Sequence, residues 1–147
     1  MILGHDRFDY AFKKYMARWA FKHPAPYDFF RTMENEAGED LSWFWREWFY
    51  HNWQLDLAVQ SVSYNDNDYK KGANITIANL EKMAMPCSIQ ITFKDGAQQN
   101  LQLPVETWMQ SGTHTIHLQT NQQLQSVIID PSNMLPDSNR ANNSWKE

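Results

Sequence analysis

The chain has 147 residues, long enough for a core that buries about 70% of the surface the unfolded chain would expose. Hydrophobic residues make up 42% and charged residues 20%, an ordinary globular balance, and a formal net charge of −4 gives no electrostatic reason to expect nucleic acid or an anionic membrane as partner. A single cysteine, Cys87, rules out an internal disulfide, and no segment approaches transmembrane length. The unusual figure is 14% aromatic residues with 7 Trp, and these are clustered.

The amino terminus, MILGHDRFDYAF, turns charged within a few residues and lacks the apolar stretch of a signal peptide. The chain alone is therefore expected to be made in the cytoplasm. A longer parent with an upstream signal would be periplasmic or secreted, and one without it cytoplasmic.

Residues 6–52 predict three helices. Asp6 reads as an N-cap, and Phe8, Phe12, Tyr15 and Trp19 recur at spacings of four, three and four, one apolar stripe of a helix. Lys13, Lys14 and Arg18 fill the opposite face. The segment KHPAP stops that helix, because proline supplies no N–H and restricts its predecessor. Asp28 caps a second helix through Phe29, Phe30 and Met33, and Gly38 ends it in the left-handed conformation. Asp40 starts a third, LSWFWREWFYHNW, with Leu41, Phe44, Trp45, Trp48 and Phe49 on one face. Trp43, Tyr50, Arg46 and Glu47 lie towards the other. Bulky aromatics on nearly every side admit three readings: a helix enclosed by its own chain, one that packs on protein outside it, or an aromatic platform for sugar or lipid.

After Trp53 the period changes to two. Strands are predicted at Leu57–Tyr64, Ile75–Leu80, Cys87–Phe93, Gln98–Leu103, Val105–Met109, Thr113–Leu118 and Leu124–Ile129. The clearest alternation puts Cys87, Ile89, Ile91 and Phe93 on one face, with Asp95-Gly96 turning into the next strand. Seven short strands point to an antiparallel immunoglobulin-like sandwich, followed by an irregular tail after Asp130. The expected fold is α+β, with a helical segment at 1–55 packed on a β-sandwich at 56–147.

The order of these elements resembles the end of aminopeptidase N-type zinc peptidases, of the gluzincin class. The matching positions are Phe12, Tyr15, His23-Pro24, Asp28-Phe29-Phe30, Gly38-Glu39-Asp40-Leu41 and Trp48, followed by a tail with Asp130-Pro131, Leu135-Pro136-Asp137 and Asn139-Arg140. In that family the segment follows the zinc site and precedes a β-sandwich. The resemblance implies a parent metallopeptidase that releases amino-terminal residues with zinc-bound water, and a chain that buttresses the parent's catalytic domain.

The family's zinc motif is His-Glu-x-x-His on a helix, with the Glu activating water. None of His5, His23, His51, His114 and His117 belongs to one, and His114 and His117 are three apart on a strand, facing opposite ways. Met33-Glu34-Asn35 matches letters of the family's substrate-anchoring strand but falls in a predicted helix. The chain is therefore expected to hold no catalytic residue and no metal, with zinc a cofactor of the parent only. The expected partner is the upstream catalytic domain, met through Trp43, Tyr50, Phe8, Phe12 and Tyr15. A homodimer through the same exposed aromatics is the alternative use of that face.

Other chemistry reads as structural. Glu34, Glu36, Glu39 and Asp40 look like a solvated helix end and cap, and Cys87 like a core thiol. Asp130, Asn133, Asp137, Asn139 and Asn142 suit Asx-turns, with calcium ligation as the other option. The rival function is a free-standing β-sandwich module for peptide or carbohydrate, for which Trp108 and Tyr69 are candidate platform residues.

Overall fold

The computed structural model describes residues 2–147 and divides into two compact units, Met1–Asn52 and Trp53–Glu147. The class is α+β, with four α-helices and seven strands among the described residues.

In the helical unit, α1 spans His5–Trp19. Its N-cap is Gly4, at φ 74°, and the expected cap Asp6 sits instead in the first turn, where a carboxylate still favours the positive end of the helix dipole. The helix stops at Trp19, ahead of the KHPAP segment, and Phe21 takes a left-handed φ of 62°. The second proline of that segment opens the next helix. Pro26 is the first residue of α2 (Pro26–Ala37), where its missing N–H costs nothing. Asp28, expected to be the cap, lies inside the first turn and reaches back, its carboxylate accepting from the Ala25 amide at 2.9 Å. Gly38 ends α2 at φ 65°, ψ 36°, and its N–H donates to the Glu34 carbonyl.

The Trp-rich segment forms α3 (Ser42–Trp45) and continues as a π-helical turn, Arg46–Tyr50. Asp40 accepts from the Ser42 amide at 2.9 Å, and its hydrogen bonds to the Ser42 side chain and backbone hold its carboxyl below the ordinary range. The core of this unit is Ala11, Phe30, Met33, Ala37, Leu41 and Trp45. The Arg18–Glu36 pair at 3.0 Å and the Arg7–Glu39 pair at 2.7 Å link α1 to the α2 end at the surface.

The β unit contains β1 (Leu57–Tyr64), β2 (Ala73–Asn79), β3 (Cys87–Phe93), β4 (Gln98–Leu103), α4 (Thr107–Gln110), β5 (Thr113–Leu118), β6 (Leu124–Ile129) and β7 (Ser144–Lys146). They form two antiparallel sheets, ordered β1-β2-β5 and β4-β3-β6-β7. Ile75, Ile77, Ile89, Ile91, Leu124 and Val127 have no exposed surface, as period-two alternation requires of a core face. Each such side chain contributes about 1.5–3 kcal/mol by leaving water.

Two expectations are corrected in this unit. Residues 105–109, predicted as a strand, instead form a turn that leads into the fourth helix, Thr107–Gln110. After Pro104 the chain turns helically, Thr107 and Trp108 donating to the Pro104 and Val105 carbonyls at 3.2 and 3.0 Å. Val105 and Trp108 are buried together at helical spacing, and the β-branched Val105 and Thr107 with Met109, two apart, imitate strand alternation there. The tail, predicted to be irregular throughout, supplies β7, which adds to the free edge of β6.

Candidate interaction surface

Helix α1 is 15 residues long and buries one side chain, Ala11. Its stripe of Phe8, Phe12, Tyr15 and Trp19 forms as predicted on a helix, but does not enter a core. Phe8 and Phe12 are exposed, while Tyr15 and Trp19 are half-buried. At this length a helix is marginal alone in water, so its order depends on packing that only a small part of its own stripe supplies.

The five residues expected at an interface belong to one chain of touching rings. Phe8 stacks on Phe12 at 5.7 Å, Phe12 meets Tyr15 at 6.3 Å, and Tyr15 meets Phe29 edge-on at 4.9 Å. Phe29 and Phe30 both reach Trp45, the latter stacked at 4.5 Å. Phe30 continues to Tyr50 at 6.2 Å, and Trp43 joins through Phe44 and Trp45. The outer members are wet: Phe8 is 46% exposed, Phe12 40% and Tyr50 64%. Trp43, expected to point outward, is half-buried beside Phe44.

Trp48 and Phe49, assigned by helical spacing to the inward stripe of the third helix, are exposed at 41% and 58%. The π turn accounts for Trp48. Hydrogen bonding five residues apart slows the rotation per residue, so the position carries less far round than α geometry requires. Phe49 meets Phe30 edge-on, with ring centres 4.9 Å apart, and is largely open to water at the helix end. Glu47, placed by spacing on the outer side, is 2% exposed.

Beside the ring chain lies an apolar cleft of about 520 Å³, lined chiefly by Ile2, Leu3, Phe8, Met33, Phe44 and Trp45. His5 and Asp9 stand at its side, 3.4 Å apart. Nine of the thirteen large apolar side chains that stand exposed among the described residues belong to the helical unit, the smaller of the two, so the wet aromatic surface is concentrated there.

The remaining candidates have structural roles. Trp108 is 8% exposed and donates its indole N–H to the Met85 carbonyl at 2.9 Å, so it cannot serve as a carbohydrate platform beside Tyr69. Asp130 and Asp137 accept from backbone amides: Met134 and Leu135 for the first, Leu57 and Asn139 for the second. Cys87 is buried, and its thiol is pushed up to about 12 by burial and by the charge of Asp130. Glu34 accepts from the Leu41 amide at 3.2 Å, linking the α2 end to the start of α3. His117 Nδ1 lies 2.7 Å from Asn74 Oδ1, on the outer face of its sheet. Among the described residues, no helix is long and apolar enough to cross a membrane. No protein-family model matches the chain, and no curated protein matches it.

Proposed function

We propose that the chain is a non-catalytic carboxy-terminal region of an aminopeptidase N-type zinc peptidase, and that its aromatic surface is where the parent's catalytic domain sits. The observation that carries this reading is α1: an amphipathic helix whose apolar stripe runs through Phe8 and Phe12 into water. Exposed apolar surface beyond a few hundred Å² marks an interaction site. A neighbouring domain that covered Phe8, Phe12, Tyr50 and the cleft would bury about 25 cal/mol for each Å² removed from water. In this reading zinc belongs to the parent, and the chain's part is to close and buttress the catalytic domain. Freed from it, the same surface can meet a second copy.

The β unit is read as the immunoglobulin-like sandwich that follows the catalytic domain in that family. Its strand order supports this: β1, β2 and β5 share one sheet, β3, β6 and β7 the other, with the chain crossing between sheets as in a Greek key. It departs from the four-plus-three constant-type arrangement in that β4 extends the sheet of β3.

The coding region immediately upstream tests the proposal. An in-frame His-Glu-x-x-His motif with a further Glu beyond it is the expected result, and an in-frame stop with no such motif would overturn the reading. The isolated chain should bind no stoichiometric zinc by elemental analysis and should release no product from an aminoacyl chromogenic substrate. One tightly held zinc per chain would refute its non-catalytic assignment.

A further inference from the structure

The sheet β4-β3-β6-β7 ends in β4, whose outer side meets no other strand. On its inner side β4 pairs with β3 in unbroken register, from Cys87↔Leu103 to Thr92↔Gln98. The Phe93 amide donates to the Ala97 carbonyl at 2.9 Å, which sets the phase of the ladder. Because hydrogen-bonded pairs alternate in an antiparallel ladder, Gln99, Leu101 and Leu103 direct their backbone groups at β3. Gln98, Asn100 and Gln102 direct theirs outward. The same three residues lie opposite Thr92, Gln90 and Ser88, on the face away from the core, and all three are exposed.

A bare edge is a template for further pairing, and proteins guard such edges with charge, proline, bulges or shortness. Two of the other three edges carry such features: β1 has a register shift between Val59 and Ser61, and β7 is three residues long and ends in Lys146, whereas β5 is an unbroken six-residue strand without fixed charge. β4 has none of these. Its sequence, Gln-Gln-Asn-Leu-Gln-Leu, holds no charge, proline or glycine, and its register has no bulge.

We propose that β4 is a homodimerisation edge, pairing antiparallel with β4 of a second copy about a two-fold axis through Asn100. A two-fold axis perpendicular to the sheet keeps the outer faces on the same side and sets Gln98 opposite Gln102 of the second copy, with Asn100 opposite itself. These are the residues whose backbone groups point outward, so each opposed pair exchanges both N–H···O bonds. Their side chains form a continuous amide ladder, the arrangement by which Asn and Gln stabilise stacked strands. No like charges oppose one another. The contact is isologous and closes at two copies. A foreign extended peptide could satisfy the backbone but would not reproduce the amide register, which is why a second copy is the occupant. The proposal does not depend on the peptidase reading.

One strand pair is a small contact, so a dissociation constant of about 10 μM to 1 mM is expected. Sedimentation of the full chain tests it. Wild type should self-associate in that range. Asn100→Lys and Asn100→Asp each set like charges opposite one another and should weaken the dimer by about tenfold or more, which is about 1.4 kcal/mol. An equimolar mixture of the two variants should restore it, because Lys then faces Asp. Asn100 is exposed and its side chain accepts one long hydrogen bond, from the Gln90 amide at 3.4 Å, so circular dichroism of both variants should match wild type. Asn100→Cys should cross-link to its own copy under mild oxidation, since hydrogen-bonded opposite residues lie about 5.5 Å apart, within disulfide reach. A wild type that stays monomeric at about 1 mM, or a dimer indifferent to both charge variants, would overturn the proposal.

Discussion

Asp130 ties the tail together. It sits at φ 47°, is 3% exposed, and its carboxylate accepts from the amides of Met134 at 3.0 Å and Leu135 at 2.8 Å, with Arg140 Nη1 at 3.3 Å. Asp130→Ala would leave those amides unpaired, one of them buried, and should cost about 2–5 kcal/mol in urea unfolding. Asp130→Asn keeps one acceptor and should cost less; equal losses would mean the charge, not the hydrogen bonding, is what matters. Close by, burial and then the charge of Asp130 push the Cys87 thiol from its ordinary 9.0 to about 12. The unfolded chain therefore loses this proton near pH 9 while the folded chain keeps it. Stability from this source falls as pH rises from about 9 towards 12, and thiol reagents at pH 8 should modify Cys87 only on unfolding. On the same strand, Ile91→Ala should cost about 2–5 kcal/mol and Gln90→Ala nearly nothing, since Ile91 is wholly buried and Gln90 faces outward. That contrast was legible in the alternation from Cys87 to Phe93. The role of Asp130 was not, because a left-handed residue capping amides four and five positions on is fixed by the fold around it and leaves no periodic trace.

At the scale of elements, what the sequence revealed were those whose period is long and clean: α1, α2, β1, β2, β3, β4, β5 and β6. The five residues after Pro104, Val-Glu-Thr-Trp-Met, were too few to separate a helical turn from a strand, and β7 takes its order from β6, not from Ser-Trp-Lys. The candidate surface was partly legible. Spacing identified the ring-bearing residues of α1, but no pattern in LSWFWREWFYHNW announces a π turn, so Trp48 was assigned inward. Terminators give the sharpest test here. Gly38 and Gly72 both have positive φ, 65° and 95°. A Cβ on Gly38 would meet nothing within 4 Å, whereas one on Gly72 would lie 2.7 Å from the Leu118 carbonyl oxygen. Gly38→Ala should therefore cost about 1–2 kcal/mol, the left-handed penalty alone. Gly72→Ala should cost clearly more, because the backbone of β5 must shift. Matching urea midpoints for the two variants would show that the approach to Leu118 is not constraining.

The two surfaces proposed to pair with a copy of themselves lie on separate units: the aromatic face on the helical unit and the β4 edge on the β unit. One isologous contact closes at a dimer, but two different ones on the same chain let association continue past it. The chain should therefore form species larger than a dimer as concentration rises, unlike a chain with either surface alone. The contacts differ in physics, so they can be told apart. Burial of Phe8, Phe12 and Tyr50 is hydrophobic and weakens on cooling, while the β4 contact rests on backbone bonds and an uncharged amide ladder. Phe12→Ser with Tyr50→Ser removes exposed rings and should spare the core, leaving a dimer through β4. Trp43 is a poorer probe, being half-buried. Asn100→Lys should leave a dimer through the aromatic face, and the three changes combined should give a monomer. Sedimentation of wild type, the two partial variants and the combined variant, at two temperatures, separates these cases. If the combined variant still associates, a third surface is responsible. If the ring changes alone give a monomer, β4 does not pair. If the ring changes have no effect at all, the wet aromatic stripe of α1 is not a contact surface, and the observation on which the peptidase reading rests loses its force.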